Sequence, residues 1–209
     1  MEILFKDEHI VVCIKPSGVL SAKDISGNKN MTDMLTQELG VSDVYPVHRL
    51  DREVSGVMVY ALNKTSAAKL SADASNKDRF TKVYYAVCSG KPIEQTGVFE
   101  DLLFKDTKRS KSFVVSKMRK GVKTAKLEYE VLQNFENKCL VKILLHTGRT
   151  HQIRVQFASR KLALVGDRKY GGEKNDKGIA LKSVSLSFYH PVSKERLCFE
   201  RIPIINEMI

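Results

Sequence analysis

In the segment HRLDREVSG, His48 to Gly56, one carboxylate, Asp51, stands between two guanidinium residues, Arg49 and Arg52, directly ahead of the apolar run GVMVYAL. An aspartate beside cations at a strand edge suits a nucleophile or base that works on a polyanion. Its reference pKa near 3.9 leaves it charged at neutral pH without prior activation. The same pattern also describes a surface ion pair, which contributes little. The weight given to Asp51 therefore depends on what the rest of the chain supplies.

Three other segments supply matching chemistry. In HTGRTHQIRVQFAS a helix is expected from about Thr150, which would cap it after Gly148; His151 and Arg154, three apart, then share a face, while Ile153 and Phe157 form an adjoining apolar one. An arginine brought within a few ångströms of Asp51 would lower the carboxylate's pKa by about one to three units and fix its rotamer. In KVYYAV, alternation sends Tyr84 and Tyr85 to opposite faces of a strand, one ring for the core and one available to stack on an unpaired base, a contact worth roughly 1 to 3 kcal/mol. Between Lys105 and Lys126 nine lysines and arginines, among them Lys108, Arg109 and Lys111, face a single acid, Asp106, and alternate with Phe113, Val114, Val115 and Val122. This reads as an exposed basic hairpin, either a phosphate-contacting arm or a solvated ribbon.

The elements that must carry these residues are mostly strands. Ile3 to Phe5 and Ile10 to Ile14 are followed by the turn Pro16-Ser17-Gly18, and KVYYAVCSG, KLEYEVLQNF, KCLVKILLHT, GIALKSVSLSF and RLCFERIPI are rich in β-branched or alternating apolar residues. Helices are expected in MTDMLTQELG, with Thr32 near its start and Gly40 past its end, and in NKTSAAKLSADAS, with Asn63 as cap and Ala67, Leu70, Ser71 and Ala74 on one face. No repeat, low-complexity tract or Pro/Gly-rich linker divides the 209 residues, so one domain spanning 1–209 is expected.

Composition narrows the class. A hydrophobic content of 43% suffices for a buried core, and 35 Lys and Arg against 24 Asp and Glu give a net charge of +11, which favours nucleic acid or another anionic partner. Cys13, Cys88, Cys139 and Cys198 lie far apart with no metal or redox spacing and are read as reduced, packed thiols. The amino terminus lacks an apolar signal region, and no apolar run approaches the roughly 20 residues that span a bilayer. A cytoplasmic protein with no membrane association, no metal and no obligate protein partner, working as a monomer, is expected.

The order of motifs is similar to that of the RluA-type pseudouridine synthases: DEHIVVCIKPSG at the start, HRLD followed by SG, KxYxA at Lys82, Tyr84 and Ala86, GRTHQIRV from Gly148, GDxxYG from Gly166 to Gly171, and SFYHP at Ser187 to Pro191. The resemblance covers nearly the whole chain, from about Glu2 to Phe199. It implies an α+β fold, a single catalytic domain with a mixed, largely antiparallel β-sheet flanked by helices and loops, and a central RNA-binding cleft. It further implies isomerisation of uridine in ribosomal or transfer RNA without cofactor, with the target base flipped out of its stack. Asp51 then corresponds to the essential aspartate, Tyr84 to the ring that packs on the base, and Arg154 to the partner of Asp51. Arg49 is expected to fill the vacated space or clamp a phosphate, Arg52 to be an RNA contact or a plain surface charge, and His48 and His151 to be scaffold or RNA contacts. Many relatives carry a small RNA-binding domain ahead of the catalytic one; none is expected here, so RNA recognition falls to the catalytic domain and its basic surface.

Val54 stands where the family often has Thr, Gln156 where His is common, and Leu127 where Thr is common, which bears on substrate fit or local hydrogen bonding rather than on the reaction. Other classes fit less well. A two-histidine phosphodiesterase needs a hydroxyl residue two places after each histidine, where this chain has Leu50 and Ile153. A glycosidase needs a second carboxylate in a setting like that of Asp51, and none accompanies it. A non-catalytic RNA-binding module would have no reason to keep Asp51, Tyr84 and Arg154 together.

Overall fold

The computed structural model describes residues 1–25, 27–76 and 78–209. The backbone gathers into two compact units, Met1–Lys82 with Ser183–Ile202, and Val83–Lys182 with Pro203–Ile209. In chain order the strands are β1 Ile3–Lys6, β2 Ile10–Lys15, β3 Tyr45–Pro46, β4 Ser55–Ala61, β5 Phe80–Ser89, β6 Thr96–Asp106, β7 Lys111–Val115, β8 Val122–Asn134, β9 Lys138–Leu145, β10 Leu181–Tyr189 and β11 Arg196–Glu200; the helices are α1 Met31–Leu39, α2 Lys64–Asp73 and α3 Gln152–Ala158. Strands predominate among the described residues, as the β-branched runs indicate.

In the first unit the strands follow the order β1-β2-β4-β10, with β11 paired to β10 and β3 to β4. β4 is buried at six of its seven positions because strands flank it on both sides. Its first turn needs Gly56: at a φ of 132°, a Cβ there would lie 2.1 Å from the Ser183 carbonyl oxygen of β10. The core joins Ile10, Val12, Val57 and Val59 of the sheet to Leu70 of α2, Phe80 and Phe188. Asn63 caps α2 through the Ser66 N–H, as expected, but the buried face is Ser66 and Leu70 rather than Ser71, which is exposed. α1 ends on Gly40 in the left-handed conformation; Asn30 caps its start, and Thr32 bonds to that cap through its hydroxyl.

In the second unit the order is β5-β9-β8-β6-β7, with antiparallel pairings between β5 and β9, β9 and β8, β8 and β6, and β6 and β7. β6 and β7 form the basic hairpin, closed by Asp106 opposite Lys111 and carrying Phe104 opposite Phe113. Helix α3 differs from the sequence expectation. Its cap is His151, not Thr150, and it lies in the left-handed region (φ 54°, ψ 26°) with no side-chain cap bond. A serine or threonine cap requires an extended backbone at that point, and the tight GRTHQ turn denies it. The thiols also split: Cys88 and Cys139 are directly opposed on β5 and β9 with sulfurs 3.2 Å apart, Cys13 is buried in β2, but Cys198 on the outer strand β11 is exposed rather than packed.

Candidate active site

Asp51 occupies a half-buried position at the start of a turn whose carbonyl receives the Val54 N–H at 3.1 Å. That turn is stitched to the loop after β2. The Gly18 N–H donates to the Arg52 carbonyl at 2.8 Å, Nε of Arg52 donates to the Gly18 carbonyl at 3.0 Å, and the Ser17 hydroxyl donates to the Glu53 carbonyl at 2.7 Å. Beneath it lies Lys15, fully buried, whose ammonium donates to the carbonyls of Pro16, Val19 and Arg52 at 2.9, 2.6 and 3.1 Å. Burial pushes this lysine down to about pH 8, while the charges of Asp51 and Glu53 draw it back up. An ammonium with all three protons on carbonyls ties the loop after β2 to Arg52, the residue following the aspartate, and places positive charge near the carboxylate.

Lys15 has no counterpart among the residues selected from the sequence, although it sits in the quoted run IVVCIKPSG. A lysine in register with Val11 and Cys13 on an apolar strand, just before Pro-Ser-Gly, was the available signal.

His48 is packed edge-on to Phe80 (5.5 Å, 67°), and its Nε2 accepts the Val59 N–H at 3.3 Å. Burial, with the nearby charge of Lys82, pushes it down to about 3, so the ring is neutral and gives RNA no charge. Its Nδ1 is buried with no partner among the described residues. Arg49 between them is exposed, and Leu50 is tied down by reciprocal bonds with the Ser21 hydroxyl at 2.8 and 3.0 Å.

In the second unit Arg154 is 4% exposed and makes a bidentate pair with Asp167, Nε and a terminal nitrogen each 2.8 Å from a carboxylate oxygen. Asp167 belongs to the GD of the quoted GDxxYG motif and is the residue that orients Arg154 here. Tyr170, three places on, lies under Arg154 (5.4 Å to the ring centre) and touches His151, whose Nδ1 is 3.0 Å from the phenol oxygen. Lys111 of the hairpin lies 4.8 Å from the same ring centre, partly buried, whereas Lys108 and Arg109 are exposed at the turn and Arg109 leans back on Asp106 at 3.7 Å. The three hairpin cations are therefore not equivalent. Tyr84 is only 5% exposed, opposite Ile143 on β9; Tyr85, on the other face, packs beside Val87 and Val165. Alternation separates the two rings as expected, but neither stands open.

The three departures are all buried: Val54 at 2%, Leu127 and Gln156 at 0%. Gln156 donates to Asp101 at 2.7 Å, and Arg160 grips the same carboxylate at 2.9 and 3.1 Å. Local hydrogen bonding is thus where Gln156 acts.

The family model described as RNA pseudouridylate synthase matches residues 9–159. The chain belongs to this family. The ribosomal large subunit pseudouridine synthase D of Zymomonas mobilis is 31% identical over 220 residues, covering 96% of this chain and 68% of that protein. The dual-specificity RNA pseudouridine synthase RluA of Haemophilus ducreyi is 31% identical over 215 residues, covering 97% of this chain and 93% of that protein. Among solved structures, human RNA pseudouridylate synthase domain containing 4 superposes with a TM-score of 0.79 at 22% identity over 99% of this chain and 90% of that one, which establishes the fold. The family's members act on RNA as isomerases. No helix among the described residues is long and apolar enough to cross a membrane, and no group of three or more His, Cys, Asp or Glu among them is placed to hold a metal ion.

Proposed function

We propose that this chain isomerises uridine to pseudouridine in structured RNA, ribosomal or transfer, with Asp51 as the residue that carries the reaction. The carbon-nitrogen glycosidic bond breaks and a carbon-carbon bond forms between the same base and sugar, so no oxidant, reductant or added group is required. The observation that carries this reading is the loop around Asp51, immobilised by the buried Lys15 ammonium and four further hydrogen bonds to neighbouring backbone. A carboxylate held this way is preorganised, which is what a nucleophile or base needs.

By family analogy Tyr84 packs on the target base and Arg154 serves the carboxylate. The target uridine leaves its stack, at a cost of a few kcal/mol, with Arg49 at the vacated place. Lys108, Arg109 and Lys111 contact phosphates; Arg52, with its Nε on Gly18, adds exposed charge in the Asp51 loop. His48 takes the scaffold role, since its neutral ring is turned onto Phe80, and His151 faces the Tyr170 phenol. Because the family match crosses from one compact unit into the other, residues 1–209 are read as one catalytic domain, working as a cytoplasmic monomer.

Replacing Asp51 by Asn tests the reading. Product formation on unmodified ribosomal and transfer RNA disappears while RNA affinity stays within about twofold, because positioning comes from phosphate contacts. Loss of binding together with product would make Asp51 structural, and retained product would end its catalytic role. Pseudouridine mapping of cellular RNA with and without the gene then identifies the site.

A further inference from the structure

Tyr170, in the 3-10 turn Arg168–Tyr170 after Asp167, binds three segments that are far apart in sequence. Its hydroxyl accepts the Ser112 N–H of β7 at 2.8 Å, lies 3.2 Å from the Ser112 carbonyl oxygen, and is 3.0 Å from Nδ1 of His151. With His151 donating from Nδ1 and the phenol proton given to the Ser112 carbonyl, all three contacts are satisfied at once. The ring is flanked by two cations, the Lys111 ammonium at 4.8 Å and the Arg154 guanidinium at 5.4 Å, and meets the His151 imidazole edge-on. Beneath it the ring packs against Leu103, Ala125 and Val155.

Two neighbouring bonds point the same way. The Ser112 hydroxyl donates to the Thr150 carbonyl at 2.7 Å, and the Lys169 ammonium donates to the Ser110 carbonyl at 3.0 Å. β7 ends the strand order of its unit and pairs along β6. Without these ties the hairpin would be anchored by one strand alone, and its turn would be free to swing away from Arg154.

We propose that Tyr170 is a positioning residue that couples the basic hairpin to Arg154. RNA phosphates taken up at the hairpin are held in register with the arginine because one phenol fixes both, through its hydroxyl to Ser112 and through its ring to Lys111 and Arg154. Tyr170 itself touches no reacting atom. This rests on reading the chain as a pseudouridine synthase with Arg154 in its active site.

Tyr170→Phe and Tyr170→Leu in the full chain, assayed on unmodified transcribed ribosomal and transfer RNA, separate the two halves of the coupling. Tyr170→Phe keeps the ring and loses the tether: KM for RNA rises at least fivefold, kcat falls less than threefold, and the slope of log affinity against log salt flattens by about one phosphate contact, about 0.7 to 0.9. Tyr170→Leu also removes the face under Arg154, and kcat falls at least tenfold further. If Tyr170→Phe keeps the wild-type KM and salt slope, or if both variants lose activity only in proportion to their melting temperature, Tyr170 is packing and the proposal fails. Asp51→Asn is measured alongside. Retained product in that variant would overturn the catalytic reading, while the binding slopes would still decide the coupling.

Discussion

Lys15 is the residue in which charge and position meet. Its pKa of about 8 lies below the roughly 10.4 of a free lysine, so between those values the unfolded chain binds more protons than the folded one. Stability from this group is therefore fully present above about pH 10 and is lost as pH falls through 8, where the buried charge costs roughly 3 kcal/mol. Urea unfolding at pH 7.5 and 9.5 will show this rise in the wild type and not in Lys15→Met. Activity runs in the opposite direction: turnover declines above pH 8 as the ammonium loses a proton and one loop carbonyl loses its donor, and Lys15→Met lowers kcat at least tenfold and removes that alkaline limb. Asp167 gives a second prediction. Asp167→Asn removes the carboxylate that grips the buried Arg154 from both nitrogens, and chemical denaturation should register a loss of about 3 to 5 kcal/mol, with a parallel drop in turnover. In the sequence Lys15 shows only through its register with Val11 and Cys13, and Asp167 sits in a short motif whose letters do not say which side chain points inward, because a buried charge is recognisable chiefly from what surrounds it. Asp51 stands out in the sequence because two cations, Arg49 and Arg52, flank its carboxylate.

At the scale of elements, α2 and the basic hairpin follow from local chemistry: Asn63 caps one, and the polar turn at Thr107 to Ser110 closes the other. Helix α3 was placed correctly by its apolar spacing but not at its start, since the tight GRTHQ turn puts His151 in the left-handed region, and bonds from Ser112 to Thr150 and between His151 and Tyr170 hold that turn. The hairpin cations share a composition and differ in setting. Lys108→Ala with Arg109→Ala should flatten the salt dependence of RNA binding by about 1.4 to 1.8, while Lys111→Ala, which also strips a cation from the Tyr170 ring, raises KM beyond its share of that slope. Filter binding from 50 to 300 mM salt measures both, and equal effects from all three would contradict the difference in setting.

Over the whole molecule, the +11 net charge predicts rapid, salt-sensitive encounter with any RNA, with selection of one uridine left to the site. The chemistry assigned to Asp51 needs no Lewis acid, so millimolar chelator leaves turnover unchanged; a metal requirement would count against the mechanism. Fold class was legible because six motifs in order are far more specific than any one of them. The division into units was not legible, since it depends on β4 lying beside β10, with Val57 and Ser183 126 residues apart.

Gly56, whose missing side chain lets Ser183 approach, ties that division to the order of synthesis. The unit that carries Asp51 is built from residues 1–82 and 183–202. At about 5 to 20 residues per second, the ribosome delivers the start of β10 roughly 7 to 26 seconds after the HRLD segment has emerged. Until then β4 lacks its neighbour β10, and the Asp51 loop hangs from an unfinished sheet. On the roles proposed above, a nascent chain that displays its basic hairpin would hold RNA before it can modify any, and activity would wait for β10.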